Sequence, residues 1–80
     1  MSKLRVLSGK DIIKFLQKEG LEIEYGKGSH CKLFKLIGGE KESITIPLHK
    51  EIAKGTLRAI YNQASRFVSQ GELKKYFYSD

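Results

Sequence analysis

Cysteine is almost missing from this chain. The lone Cys31 can form no internal disulfide and supplies no thiolate cluster for zinc, which excludes a disulfide-stapled scaffold and fits a reducing compartment. Stability must therefore come from packing. Acids are also scarce: 9 Asp and Glu stand against 15 Lys and Arg, a formal charge of +6 with a sequence pI near 9.6. With 30% of residues charged, this is a folded basic domain rather than a solvated tail, and a polyanionic partner is expected. Nucleic acid leads, an acidic protein follows and a membrane surface comes third. No apolar run approaches the ~20 residues of a membrane span, and the first residues lack the apolar core of a signal peptide, so no membrane partner and a cytoplasmic location are expected.

Missing motifs exclude further chemistry. There are 2 histidines, no H-E-x-x-H and no tight pair of acids beside His30, which argues against a metal site and metal-dependent hydrolysis. Gly26-x-Gly28 opens onto a strand and lacks the lysine-serine spacing of a phosphate loop, so nucleotide hydrolysis is set aside and no cofactor is called for. No repeat, low-complexity segment or linker is visible. The 80 residues are expected to form one domain, residues 1–80, with one modest core and a shallow site.

Several segments carry clear periodicity. Leu4, Val6 and Leu7 can tuck against the body, and Ser8-Gly9-Lys10-Asp11 reads as a capping box opening a helix. Ile12, Ile13, Phe15 and Leu16 line one side of that helix, lysines the other, and Gly20 closes it. Leu21 to Tyr25 alternates, with Leu21, Ile23 and Tyr25 on one face, which predicts a half-buried strand. After the Gly26 to Ser29 turn, His30 to Ile37 is strand-like. Gly38-Gly39 then signals a second turn before a third strand, Glu42 to Leu48, which ends at Pro47 or lies at an edge. His49 to Lys54 reads as a polar connector. Gly55-Thr56 offers the next helix start, with Thr56 as cap, followed by Leu57, Ile60, Tyr61, Ala64, Phe67 and Val68 at helical spacing. Lys54, Arg58 and Arg66 give its outer face positive potential. Ser69 to Glu72 is a second capping pattern, ahead of a possible short helix over Leu73 to Phe77.

The economical architecture is α+β: helices packed on one face of a three-stranded antiparallel meander. Its expected core is Leu7, Ile12, Ile13, Leu16, Leu21, Ile23, Cys31, Leu33, Ile44, Ile46, Leu57, Ile60, Tyr61 and Ala64. Strand alternation then points His30 and Lys32 to the open face, opposite Cys31 and Leu33. A Cys31-His30 nucleophilic pair is thereby disfavoured.

The chemistry concentrates in Tyr25-Gly26-Lys27-Gly28-Ser29-His30, a glycine-flanked polar turn. RNA cleavage needs little apparatus, because the ribose 2′-hydroxyl already lies beside the phosphorus: a base, an acid for the leaving 5′-oxygen and cations suffice. Imidazole suits the acid/base role, with a reference pKa near neutrality. His30 is the candidate, Lys27 and Lys32 can stabilise phosphate charge, and Gly28 and Ser29 offer amides and a hydroxyl. His49 is a second acid/base candidate if the end of the third strand reaches the first hairpin. Tyr25, Phe34 and Tyr61 could stack bases or pack in the core. The plain alternative is a hairpin with an exposed histidine.

Leu7-Ser8-Gly9-Lys10-Asp11, Gly28-Ser29-His30, Ile46-Pro47-Leu48-His49-Lys50 and Lys54-Gly55-Thr56-Leu57-Arg58-x-Ile60-x-x-Gln63-Ala64 follow one another in an order and spacing that resembles the HicA family of bacterial and archaeal toxins. The resemblance runs from about Leu4 to Val68; beyond Ala64 the glycine usual in the family is missing and the segment is slightly longer. It implies a fold similar to the double-stranded-RNA-binding domain, in helix-strand-strand-strand-helix order. It also implies an mRNA interferase whose catalytic histidine is His30, with a HicB antitoxin as protein partner. Charge and turn chemistry add Lys27, Gly28, Ser29, Lys32, Lys54 and Arg58 as the expected RNA contacts. The rival expectation is a non-catalytic double-stranded-RNA-binding module.

Overall fold

Ser8 starts the first helix, as its spacing to Asp11 predicts. In the computed structural model, which describes residues 3–79, the Ser8 hydroxyl accepts from the Asp11 amide at 3.0 Å and the Asp11 carboxylate accepts from the Ser8 amide at 3.0 Å. Helix α1 (Gly9–Lys18) follows, burying Ile12, Ile13, Phe15 and Leu16 and exposing its lysines. Phe15 joins the expected core because Tyr76 lies against it, with ring centroids 4.3 Å apart. At the far end the Lys35 ammonium donates to the Glu19 carbonyl at 3.2 Å, satisfying an acceptor that the helix leaves without a partner.

Strands β2 (Glu22–Lys27), β3 (His30–Ile37) and β4 (Glu40–Pro47) form the antiparallel meander in the order β2-β3-β4. Cys31 opposes Ile46 and Leu33 opposes Ile44; all four are buried under the helices. Strand β4 is an edge strand, so Pro47 ends it without depriving a neighbour of an amide. The half-buried reading of the first strand needs correction. Leu21 is buried but precedes β2, and β2 is exposed along its length, with Ile23 46% and Tyr25 53% accessible. Ile23 opposes Leu33, yet Tyr25 opposes Lys32, so Glu24 is an extra residue in the ladder. Such a bulge reverses which side the following residue faces. Tyr25 therefore joins Lys32 on the open face.

The connector after β4 is less polar than its composition suggests: Ile52 is buried and its amide donates to the Leu7 carbonyl at 2.9 Å. Helix α2 (Lys54–Ala64) is capped three residues before the expected position. Ala53 is its N-cap with no side-chain bond, so Thr56 lies in the first turn instead of capping. Leu57, Ile60 and Ala64 are buried, whereas Tyr61 is half-buried, packed on the core's margin. Phe67 and Val68 lie past the helix end. Arg66 turns back onto β4, donating to the Glu42 carboxylate at 2.6 Å and the Ser43 carbonyl at 3.1 Å, so it does not contribute a free cation to the helix surface.

Ser69 caps helix α3 (Gln70–Phe77), its hydroxyl accepting from the Glu72 amide at 3.4 Å. Leu73 and Phe77 are fully buried, two core positions the meander-and-helix reading did not include. The two ends of the described segment meet: β1 (Lys3–Leu4) pairs antiparallel with β5 (Tyr78–Ser79), and the Arg5 amide donates to the Phe77 carbonyl at 2.8 Å. Leu7 is buried there, but Val6 is 70% accessible and does not tuck in. The fold is thus α+β in the expected double-stranded-RNA-binding-domain-like order, with a third helix completing the core.

Candidate active site

Lys27 opposes His30 across the β2-β3 hairpin, leaving Gly28-Ser29 as a two-residue loop. Gly28 has φ +58° and Ser29 does not share a positive φ, the pattern of a type II′ turn, which requires glycine first and matches the twist of the flanking strands. The turn holds His30 at a strand end with its ring in solvent. The Ser29 hydroxyl lies 3.0 Å from His30 Nδ1. A hydroxyl can accept from Nδ1–H or donate to a bare Nδ1, so it can hold the ring in either protonation state and leave Nε2 for a ligand.

Backbone bonds brace this turn from below. His30 opposes Pro47, the Leu48 amide donates to the Ser29 carbonyl at 2.7 Å, and the Gly9 amide donates to the His49 carbonyl at 2.9 Å. Helix α1 comes so close that a Cβ on Gly9 would strike the Pro47 carbonyl oxygen. The end of the third strand does reach the first hairpin. Leu48 is bonded to the turn and His49 follows it with an exposed side chain, but no hydrogen bond joins the two imidazoles among the described residues.

Lys27, His30 and Lys32 share the open face by cross-strand pairing and alternation. Lys32 Nζ lies 5.8 Å from the Tyr25 ring centre, which fixes Tyr25 on the same side. Lys54 and Arg58 lie one turn apart on the exposed side of α2, near an end that carries no acid in its first turn. Neither is joined to the His30 turn by a hydrogen bond or ion pair among the described residues. Cys31 is buried on the opposite sheet face, where burial pushes its thiol pKa up; it is a packed apolar group, not a partner of His30.

The three aromatics divide. Tyr61 packs edge-on against Phe77 and Tyr78, with centroids at 5.4 and 5.7 Å, and its hydroxyl donates to Gln70 at 3.0 Å. Tyr25 and Phe34 remain on the open face. Sequence reading passed over Lys41, whose ammonium lies 4.8 Å from the Phe34 ring centre and 3.0 Å from the Glu24 carboxylate. Its alternation with Ser43 and Thr45 was visible, but the face those residues share had to be known first.

The assembled groups are an exposed imidazole with one nitrogen held, adjacent cations, and turn amides. They can exchange a proton with a hydroxyl and stabilise a phosphate, without a deep cavity. A family model described as the HicA toxin of bacterial toxin-antitoxin matches residues 9–65, which includes the histidine turn, the segment after β4 and all of α2. No curated protein and no solved structure gives a match.

Proposed function

The chain belongs to the HicA toxin family of bacterial toxin-antitoxin systems, and from that premise we propose that it is an mRNA interferase with His30 as its general acid/base. The observation that carries this reading is the exposed His30 on its braced glycine turn, with Nδ1 held 3.0 Å from Ser29. In the proposed reaction Nε2 removes the proton of a ribose 2′-hydroxyl. The 2′-oxygen attacks the adjacent phosphorus and the 5′-oxygen leaves with a proton, giving a 2′,3′-cyclic phosphate and a 5′-hydroxyl. Lys27 and Lys32, on the same face, and the Gly28 and Ser29 amides stabilise the charge growing on phosphate. His49 is the natural candidate for the second proton transfer, since it directly follows Leu48, whose amide is bonded to the turn. Lys54 and Arg58 hold the RNA backbone further along.

Control comes from a HicB-type antitoxin in the same proposal. The toxin's positive charge favours an acidic contact surface, and cover over the histidine turn would exclude RNA. The cytoplasm, where mRNA is found, is the proposed compartment; no helix among the described residues is long and apolar enough to cross a membrane. The rival double-stranded-RNA-binding module has no use for a titrating side chain on a turn, because duplex shape is read by cations and hydroxyls.

His30→Ala decides between them. An exposed histidine contributes little packing, so the variant should melt as the parent does while RNA cleavage and growth arrest on expression disappear. Equal toxicity of the alanine form would sink the role of His30. Cleavage should also persist in EDTA and stop when the 2′-hydroxyl at the cut site is removed.

A further inference from the structure

The helices cover only one side of the sheet, and the uncovered side is not an ordinary polar surface. It carries Tyr25, His30, Lys32, Phe34 and Leu36, with Lys27 beside His30 across the hairpin and Lys41 across from Leu36. Tyr25 is 53% and Leu36 65% accessible, so apolar area stands in water with none of the described residues covering it. Each of the two aromatic rings has a lysine ammonium over it, Lys32 on Tyr25 at 5.8 Å and Lys41 on Phe34 at 4.8 Å. Glu24 and Glu22 are the acids of this region, and Glu24 is paired with Lys41.

We propose that this face is a base-stacking platform for single-stranded RNA, Tyr25 and Phe34 each taking a base while Lys32 and Lys41 swing from the rings to the phosphates; it rests on the cleavage proposed at His30. Three observations favour a nucleic-acid strand over an apolar protein surface as occupant. Beside the aliphatic Leu36, the face carries an exposed Tyr25 and a half-buried Phe34 interleaved with cations, the composition by which sheet surfaces hold unpaired bases. The lysines mark a surface that already accepts positive charge over its rings, and a bound strand offers those ammonium groups phosphate oxygens in exchange. The platform is also continuous with the histidine turn. Along β3, at about 3.3 Å per residue, Phe34 lies roughly 13 Å from His30 with Lys32 between, so a strand stacked there would run into the turn. The bulge at Glu24 is what makes this possible, because a regular β2 would turn Tyr25 to the other side.

The test is binding of a fluorescent, single-stranded 2′-O-methyl RNA of about 12 nucleotides, whose blocked 2′-oxygen cannot act as nucleophile. Tyr25→Ala in the full chain should weaken binding roughly 5- to 150-fold, the range of one lost base stack. Tyr25→Phe should retain affinity, and Tyr25→Leu, equally apolar but without a π-face, should not. 2-Aminopurine in the strand should be quenched as strongly by Tyr25→Phe as by the parent and less by Tyr25→Leu and Tyr25→Ala, which keep only the Phe34 stack. Phe34→Ala should act in the same direction and is scored at a temperature where circular dichroism shows it folded; Tyr25, being exposed, carries the decision should Phe34→Ala not fold. Unchanged binding by Tyr25→Ala overturns the platform. So does preference for a duplex of the same sequence, or loss of antitoxin binding by Tyr25→Ala with RNA binding intact, which would assign the face to a protein partner. The strand is never cut, so this outcome is independent of the cleavage assay on His30→Ala: either reading can fail while the other stands.

Discussion

Ser29 is the smallest part of the site with a distinct job. Its hydroxyl is the hydrogen-bond partner of His30 Nδ1, and its carbonyl is bonded to the Leu48 amide, so the backbone is braced independently of the side chain. Ser29→Ala should therefore leave the melting temperature unchanged and slow RNA cleavage by roughly 2- to 12-fold, the kinetic equivalent of one hydrogen bond. A rate equal to the parent's would show that the ring needs no such support. The Gly28-Ser29-His30 motif was legible as a site because so few residue types do proton chemistry near neutrality. The side the ring faces followed from strand alternation, whereas the bracing of its turn by Pro47 and Leu48 followed from cross-strand pairing that residue identity alone does not specify.

At the scale of the element, α1 was the most legible part of the chain, since cap, periodicity and terminator all agree on it. The capping box has a measurable share in stability. Ser8→Ala should cost about 1 kcal/mol, or roughly 4–8 °C in melting temperature for a domain of this size. The hydrogen bonds from the Ser8 backbone amide, first, and hydroxyl, second, hold the Asp11 carboxyl below its ordinary pKa. A depressed folded-state value makes the stabilising contribution full above the unfolded value, near 3.9, and removes it as pH falls through the folded value. The stability gap between the parent and Asp11→Ala should thus be constant from pH 7 to 5 and close below about pH 4, read by urea denaturation at each pH. A gap that persists into strong acid would refute the ionic origin. Strand β2 was the opposite case. Its alternation of apolar and acidic residues is genuine, but a bulge adds a residue to the ladder without any local signature, and an edge strand outside the helix layer can leave apolar groups exposed.

For the whole molecule, closure of the core depends on its last helix. Phe77 is fully buried and touches Phe15, Tyr61 and Tyr76, beyond the segment the HicA model matches. Phe77→Ala should cost about 3–5 kcal/mol out of a total of roughly 5–15 kcal/mol, measurable as a lower urea midpoint. A loss near zero would make α3 an appendage. The charge of +6 is likewise a property of the entire surface. If Lys27, Lys32, Lys54 and Arg58 each neutralise a phosphate, the logarithmic slope of single-strand RNA affinity against salt should approach about −3. A flat salt dependence would remove phosphate contacts from the mechanism.

Composition and local pattern by themselves determined the basic character, the α+β class, the order of helix and strands, and the turn that carries His30, because charge, periodicity and turn chemistry act between near neighbours. Most of the core followed as well: Leu7, Ile12, Leu16, Leu33, Ile44, Ile46 and Leu57 are buried as their spacing predicts. Tertiary structure alone decided the rest. It drew Phe15, Ile52, Val68, Leu73 and Phe77 into the core, used Arg66 to tie α2 to β4, and set Tyr25 on the open face. These outcomes depend on which surfaces meet across long stretches of chain. Burial is a property of two contacting elements, and one strand's sequence does not say whether a helix will cover it.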